Sequence, residues 1–255
     1  MEEAGGSMAN APASAKPMAI PKHITQDDPA IMSFSPSKMS TQTLDHFNHE
    51  DSKGMPLESS WTFWIDKAMH NASLNEYKAN IKKVYTVSTA QGFWSVFNHI
   101  PNVSELRLRC YYHLMRDERE PVWEDPVLAN GGVWRIKCPK YHTVSEKLGV
   151  LLYRKIIREI KNNTYLQPYV WKELLLAAIG EQFIDFLHED DEICGLSVSP
   201  REKDDLIQIW NLNSKSVQQS RVLEKVHSLV PDVRFNAEFY KRKDFLFYKI
   251  IISIM

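Results

Sequence analysis

The chain has 255 residues, 44% of them apolar, enough for one large domain or two small ones with a real core. Its formal net charge of −1 excludes a protein that coats nucleic acid through an overall basic surface, so any such partner must be met by a few positioned charges. Three scattered cysteines (Cys110, Cys138, Cys194) without C-x-x-C spacing exclude a disulfide framework and read as reduced thiols of a cytosolic or nuclear protein.

The opening MEEAGGSMANAPASAKPMAI lacks an apolar h-region, so no secretory leader is expected. No run of 18 apolar residues predicts a membrane span. Residues 1–54 are rich in Ala, Ser, Pro, Met and Gln and read as a disordered arm. SSWTFWID (59–66) alternates as a strand does, and NIKKVYTVS (80–88) is β-branched and predicts another. In STAQGFWSVFNHI (88–100) the period changes to that of a helix, capped by Ser88 or Thr89 and stopped by Pro101. ELRLRCYYHLMR (105–116) predicts a long strand and VWRIKC (133–138) a further one. The clearest helix is 170–187. EICGLSVSP (192–200) and DLIQIWNL (205–212) predict a hairpin, 216–231 a third helix and 233–241 a last strand. The order implies an α+β fold: a mainly antiparallel sheet with three helices on one face.

No P-loop, GxGxxG, HExxH or GxSxG motif is present, and no nucleophile, base and orienting group assemble, so an enzyme is not expected. No cofactor or metal site is expected either; HEDDE (188–192) reads as a solvated acidic loop. Seven tryptophans remain to be placed. One of them, Trp123, directly precedes Glu124 in PVWEDP (121–126). An indole face attracts a flat cation, and a carboxylate accepts two adjacent N–H groups. Guanine methylated at N7 offers both: a positive ring and an N1–H/N2–H2 edge.

WTFWID, FWSVFNHIPNVSELRL, PVWEDPVLANGGVW, VWKELLLAAIGEQF and CGLSVSPREKDDLIQIWN together resemble, in order and spacing, the mRNA cap-binding translation initiation factor 4E family. The likeness covers about 55–241 except 141–169, and GMPLESSWTFWIDK and VWKELLLAAIGEQF look most like class III members. The resemblance implies a curved antiparallel sheet holding the 7-methylguanosine 5′ cap in its concave face. It implies Trp123 and Tyr77 as the rings either side of the base, Glu124 as acceptor of the guanine edge, Trp210 against the N7-methyl, and Arg201 and Lys203 on the triphosphate. The alternative for Tyr77 is a surface tyrosine on a loop. Trp61, Trp64 and Trp134 are expected to pack the sheet. Pro56, Leu57, Trp94, Trp171, Glu173 and Leu176 are implied as the back surface that receives a Y-x-x-x-x-L-Φ helix of factor 4G or a 4E-binding protein.

Several positions depart from the family. Leu206 and Val133 stand where basic residues are usual, which implies weaker cap affinity; Ala90 and Lys172 replace a valine and a leucine of the back surface. Thirty-six residues separate Trp134 from Trp171, so 141–169 reads as an insertion, and 242–255 is an apolar tail of unusual kind. The expectation is a cytoplasmic or nuclear cap reader in translation initiation or its regulation. The alternative is an interaction module of weak cap affinity that sequesters 4G-like or 4E-binding partners.

Overall fold

The computed structural model describes residues 34–67, 69, 73–139 and 169–243. Most of the expected arm (1–33), nearly all of the insertion (141–168) and the tail beyond Lys243 lie outside those residues.

The described strands are β1 (Pro56–Lys67), β2 (Lys82–Thr89), β3 (Cys110–Arg116), β4 (Gly132–Pro139), β5 (Ile193–Ser199), β6 (Asp204–Asn211) and β7 (Ala237–Arg242). They form one curved seven-stranded sheet in the order β2-β1-β3-β5-β6-β4-β7. Every adjacent pair is antiparallel. The fold is therefore the expected α+β class.

Side-chain alternation gives the sheet two different faces. One carries Trp61, Phe63, Leu114, Trp134, Ile136, Leu196 and Ile209, all buried in the main core. The other carries a smaller cluster built on Trp64, Met115, Val133 and Trp210. Trp61 and Trp134 pack the sheet as expected, whereas Trp64 faces the opposite way.

The described residues hold five α-helices rather than three: α1 (Thr41–Lys53), α2 (Leu74–Asn80), α3 (Ala90–His99), α4 (Tyr169–Ile179) and α5 (Val222–Leu229). Four of them cover the main core; α2 contributes Tyr77 to the small cluster instead. The expectation of disorder up to residue 54 is corrected by α1. Ser40 caps it by accepting from Thr43 N at 3.1 Å, and its Phe47 is fully buried against Tyr85 and His99. Asp51 then staples α1 to the start of α3, accepting from Ser88 N at 3.0 Å and Thr89 N at 2.9 Å. A Cβ at Gly92 would meet that carboxylate at 2.0 Å, so only glycine allows the approach.

Four element boundaries also differ from expectation, one of them the start of β7 at Ala237 rather than 233. Strand β3 begins only at Cys110, because Val103–Glu105 forms a 3-10 turn and Arg109 takes a φ of 67°. Helix α4 stops at Ile179 rather than 187 in a Schellman turn, with Gln182 N on Ala177 O at 2.9 Å and Glu181 at a φ of 53°. The Glu181 carboxylate is held there by two 2.7 Å bonds from Arg116. The third expected helix is split: Arg221 N donates to Phe186 O at 2.7 Å, so a 3-10 turn (Ser216–Gln219) precedes α5.

If α1 is part of the packed domain, Phe47→Ala removes a buried ring and lowers unfolding free energy by about 3–5 kcal/mol in urea titration. A change near zero would return these residues to a loose arm.

Candidate functional site

Of the residues singled out from the sequence, Trp123, Trp210 and Tyr77 pack into the small cluster on the second face of the sheet. Strand register arranges that face in rows. Met115, Gly195, Trp210 and Val133 cross β3, β5, β6 and β4 in one row; His113, Ser197, Gln208 and Arg135 form the next. Tyr111 and Asp66 pair across β3 and β1, and Ser199, Leu206 and Lys137 continue the third row across β5, β6 and β4.

Trp123 hangs over this face on the loop between β3 and β4. Buried Val122 and Leu128 anchor the loop on either side, and Asp125 caps the intervening 3-10 turn by accepting from Val127 N at 2.8 Å. Trp123 is half-buried and lies directly on Trp210, with ring centroids 4.3 Å apart and planes inclined by 29°. That spacing is direct contact, so a planar ligand can use only the Trp123 face turned away from Trp210. Glu124 is exposed beside it.

Below the rings runs a chain of polar side chains that sequence reasoning missed. Trp210 Nε1 donates to Ser197 Oγ at 2.8 Å. The same oxygen lies 2.7 Å from His113 Nδ1. His113 Nε2 faces Asp66 Oδ2 at 3.5 Å, and the Tyr77 hydroxyl donates to that oxygen at 3.1 Å. The chain thus joins β6, β5, β3, β1 and α2. Burial, reinforced by the Asp66 charge and to a smaller degree by Glu124, pushes the Tyr77 phenol far above its usual range. It stays a donor, and Tyr77 and Trp123 pack against the same small cluster. Tyr77 is therefore tied into the site at its hydroxyl, not a tyrosine loose on a loop. Helix α2, which carries it, shows a capping box: Glu76 N on Ser73 Oγ at 3.3 Å and Ser73 N on Glu76 Oε2 at 2.8 Å. That S-x-x-E signal was present in SLNE (73–76). Asp66, His113 and Ser197 left a weaker one: they are polar residues at alternate positions of strands.

Arg201 folds over Tyr111, its guanidinium 5.0 Å from the ring centre and bonded to the phenol oxygen. Tyr111 in turn stacks on His113 with centroids 5.5 Å apart. Lys203 is exposed. A separate open cleft of about 880 Å3, lined in part by Phe34, Lys38, Lys82 and Arg107, shares only Asp66 with these residues.

On the opposite side, Met55 O accepts from Ala90 N at 2.9 Å and sets the start of β1 against α3. Pro56 and Trp94 are exposed there, and Leu57, Glu173 and Leu176 are half-buried. Met55, next to Pro56, is exposed as well. Trp171 requires a correction. It is only 2% exposed, because it points from α4 into the main core, so its ring has no surface to offer a partner. Glu173 lies 3.4 Å from Lys172. Two of the acids of 188–192 are engaged within the protein: Glu192 with Arg119 at 2.6 Å, and Asp191 accepting from Asn213 N at 2.9 Å.

The family model for eukaryotic initiation factor 4E matches residues 56–246, and the chain belongs to that family. Eukaryotic translation initiation factor 4E-1 of Hordeum vulgare is 37% identical over 159 residues, which cover 62% of this chain and 61% of the relative. The corresponding factor of Glycine max is 35% identical over 161 residues, covering 63% and 56%. The chain thus spans about three fifths of the length of the curated relatives it matches. Among solved structures, Ascaris suum eIF4E-3 in complex with m2,2,7G cap superposes with a TM-score of 0.53 at 26% identity, covering 74% of this chain and 96% of that one. Caenorhabditis elegans eIF4E-3 with the 4E-binding protein Mextli and a cap analog gives 0.53 at 25%, covering 71% and 91%.

The Ser197 hydroxyl joins two buried partners, so Ser197→Ala leaves both the Trp210 indole N–H and His113 Nδ1 without a bond. Thermal or urea unfolding should show a loss of about 1–3 kcal/mol. An unchanged midpoint would mean the chain of polar contacts contributes nothing.

Proposed function

We propose that this chain binds the 7-methylguanosine 5′ cap of mRNA and acts in translation initiation or its regulation. The observation that carries the reading is that Trp123 and Tyr77 pack against one small cluster on this sheet face, with the exposed Glu124 carboxylate next to Trp123 in the chain. Family membership supports it, as do the caps present in the Ascaris suum and Caenorhabditis elegans neighbours. The base lies on the Trp123 face that Trp210 leaves free, with Tyr77 opposite it, so that Trp210 backs Trp123 in place of the expected contact with the N7-methyl. Glu124 accepts from guanine N1–H and N2–H2, and the positive charge of the methylated ring strengthens the stacking. Arg201 leaves Tyr111 to meet phosphate, and exposed Lys203 joins it. The protein acts by binding rather than by chemistry.

The finer class is assigned to the class III members on the motifs GMPLESSWTFWIDK and VWKELLLAAIGEQF. We take 55–241 as the cap-binding unit, braced by α1. Met55, Pro56, Leu57, Trp94, Glu173 and Leu176 form the back surface for a Y-x-x-x-x-L-Φ helix of factor 4G or a 4E-binding protein. We place the protein in the cytoplasm, where translation occurs; among the described residues no helix is long and apolar enough to cross a membrane. The second reading, a partner-sequestering module of weak cap affinity, is favoured by apolar Leu206 and Val133 at positions that the family usually keeps basic.

A charged hydrogen-bond acceptor contributes about 1.5–3 kcal/mol. Glu124→Ala should therefore abolish retention on 7-methyl-GTP resin while a Y-x-x-x-x-L-Φ peptide still binds. Retention equal to wild type would remove Glu124 from the site. Peptide binding with no retention even of the wild type would select the sequestering module.

A further inference from the structure

Leu206 and Val133 leave a gap in the cationic lining of this face, and the register of β4 shows what stands beside it. Val133 is paired with Trp210, Arg135 with Gln208, and Lys137 with Leu206 itself. Alternation places Val133, Arg135 and Lys137 on one face, while Trp134 and Ile136 enter the main core. The strand therefore carries two cations on the ring side of the sheet. Arg135 is about two strand residues, roughly 7 Å, from the position opposite Trp210. Lys137 lies directly across from the leucine.

The surroundings of Arg135 favour an anion. Its Nε is buried and has no hydrogen-bond partner, and its guanidinium leans towards Phe239 at 6.0 Å from the ring centre. Among the described residues it makes no ion pair. Burial pulls it below its ordinary value; the Tyr111 phenol opposes this and the Arg201 charge adds to it. The Arg201 guanidinium stands on the same face, over Tyr111, and an anion bound near both would offset the cost of holding two like charges there. A second orphan lies on the same face: Ser199 Oγ is buried without a partner, and Ser199 pairs with Leu206 in the row of Lys137. A hydroxyl and two or three cations in neighbouring rows match the oxygens of a chain of phosphates.

We propose that Arg135 and Lys137, together with Arg201 and the Ser199 hydroxyl, hold the cap's triphosphate, so that β4 supplies the charge that Leu206 and Val133 do not. This rests on the cap reading and adds to it the residues that, in this chain, carry the charge facing the triphosphate. The phosphate path runs from the Trp123–Trp210 rings across β6 to β4.

Titration of tryptophan fluorescence with 7-methyl-GTP and with 7-methylguanosine tests this in wild type, Arg135→Gln, Arg135→Lys and Lys137→Gln. Arg135→Gln should lower affinity for 7-methyl-GTP about tenfold, leave that for the nucleoside unchanged and flatten the dependence on salt. Arg135→Lys should recover most of the loss. Lys137 is exposed, so Lys137→Gln keeps the fold and should cost about threefold with the triphosphate alone. Unchanged 7-methyl-GTP affinity in both glutamine variants would overturn the proposal while leaving the cap reading in place. So would equal losses with nucleoside and triphosphate, which would mark Arg135 as structural. A wild type that responds to neither ligand would overturn the cap reading itself, and this proposal with it.

Discussion

The register of five antiparallel strands decides what this protein can touch. Because side chains alternate, a slip of one residue in β6 would send Trp210 into the main core and bring Ile209 out. The same holds for His113 against Leu114 and for Ser197 against Leu196. The buried apolar set therefore specifies the polar set on the opposite face. The larger core supplies the stability, and the smaller face is free to hold groups that a core would exclude.

Those groups come at a cost. Asp66 and His113 are almost wholly buried, and burying polar groups is unfavourable unless they are paired. Here they pair in two segments, the Trp210 indole through Ser197 to His113 Nδ1, and the Tyr77 hydroxyl to Asp66 Oδ2; His113 Nε2 approaches that carboxylate at 3.5 Å without a hydrogen bond. The result is a polar floor beneath the rings. It fixes Trp210, and through it the resting place of Trp123; at its other end it fixes α2. Two ring-bearing elements from opposite ends of the sheet are thus oriented by these two segments. On the far side, α1, α3 and α4 pack as helices do, and Trp94 is the aromatic side chain that α3 leaves at the surface.

Much of this was legible in the sequence. Strand periodicity found β1, β2 and the β5–β6 hairpin, and Trp123, Tyr77 and Trp210 pack into one cluster on the second face of the sheet. What was lost was lost for identifiable reasons. Helix α1 is almost entirely polar, with Phe47 its only buried residue, so it forms through Ser40, Asp51 and tertiary packing rather than through an apolar stripe. The end of α4 was hidden because Glu181, not glycine, takes the left-handed turn, held by Arg116. Trp171 follows Val170, and only the rotation of α4 decides which of its residues face inward. Asp66 and His113 lie 47 residues apart in the chain and meet only because β1 and β3 pair.

The central claim is that a cationic guanine is recognised by the ring of Trp123 and the carboxylate of Glu124. Equilibrium titration of intrinsic tryptophan fluorescence with 7-methyl-GTP and, separately, with unmethylated GTP tests it most directly. The account predicts saturable quenching by the methylated nucleotide at concentrations at least tenfold below those needed for GTP. Equal responses to the two nucleotides, or none to either, would contradict it.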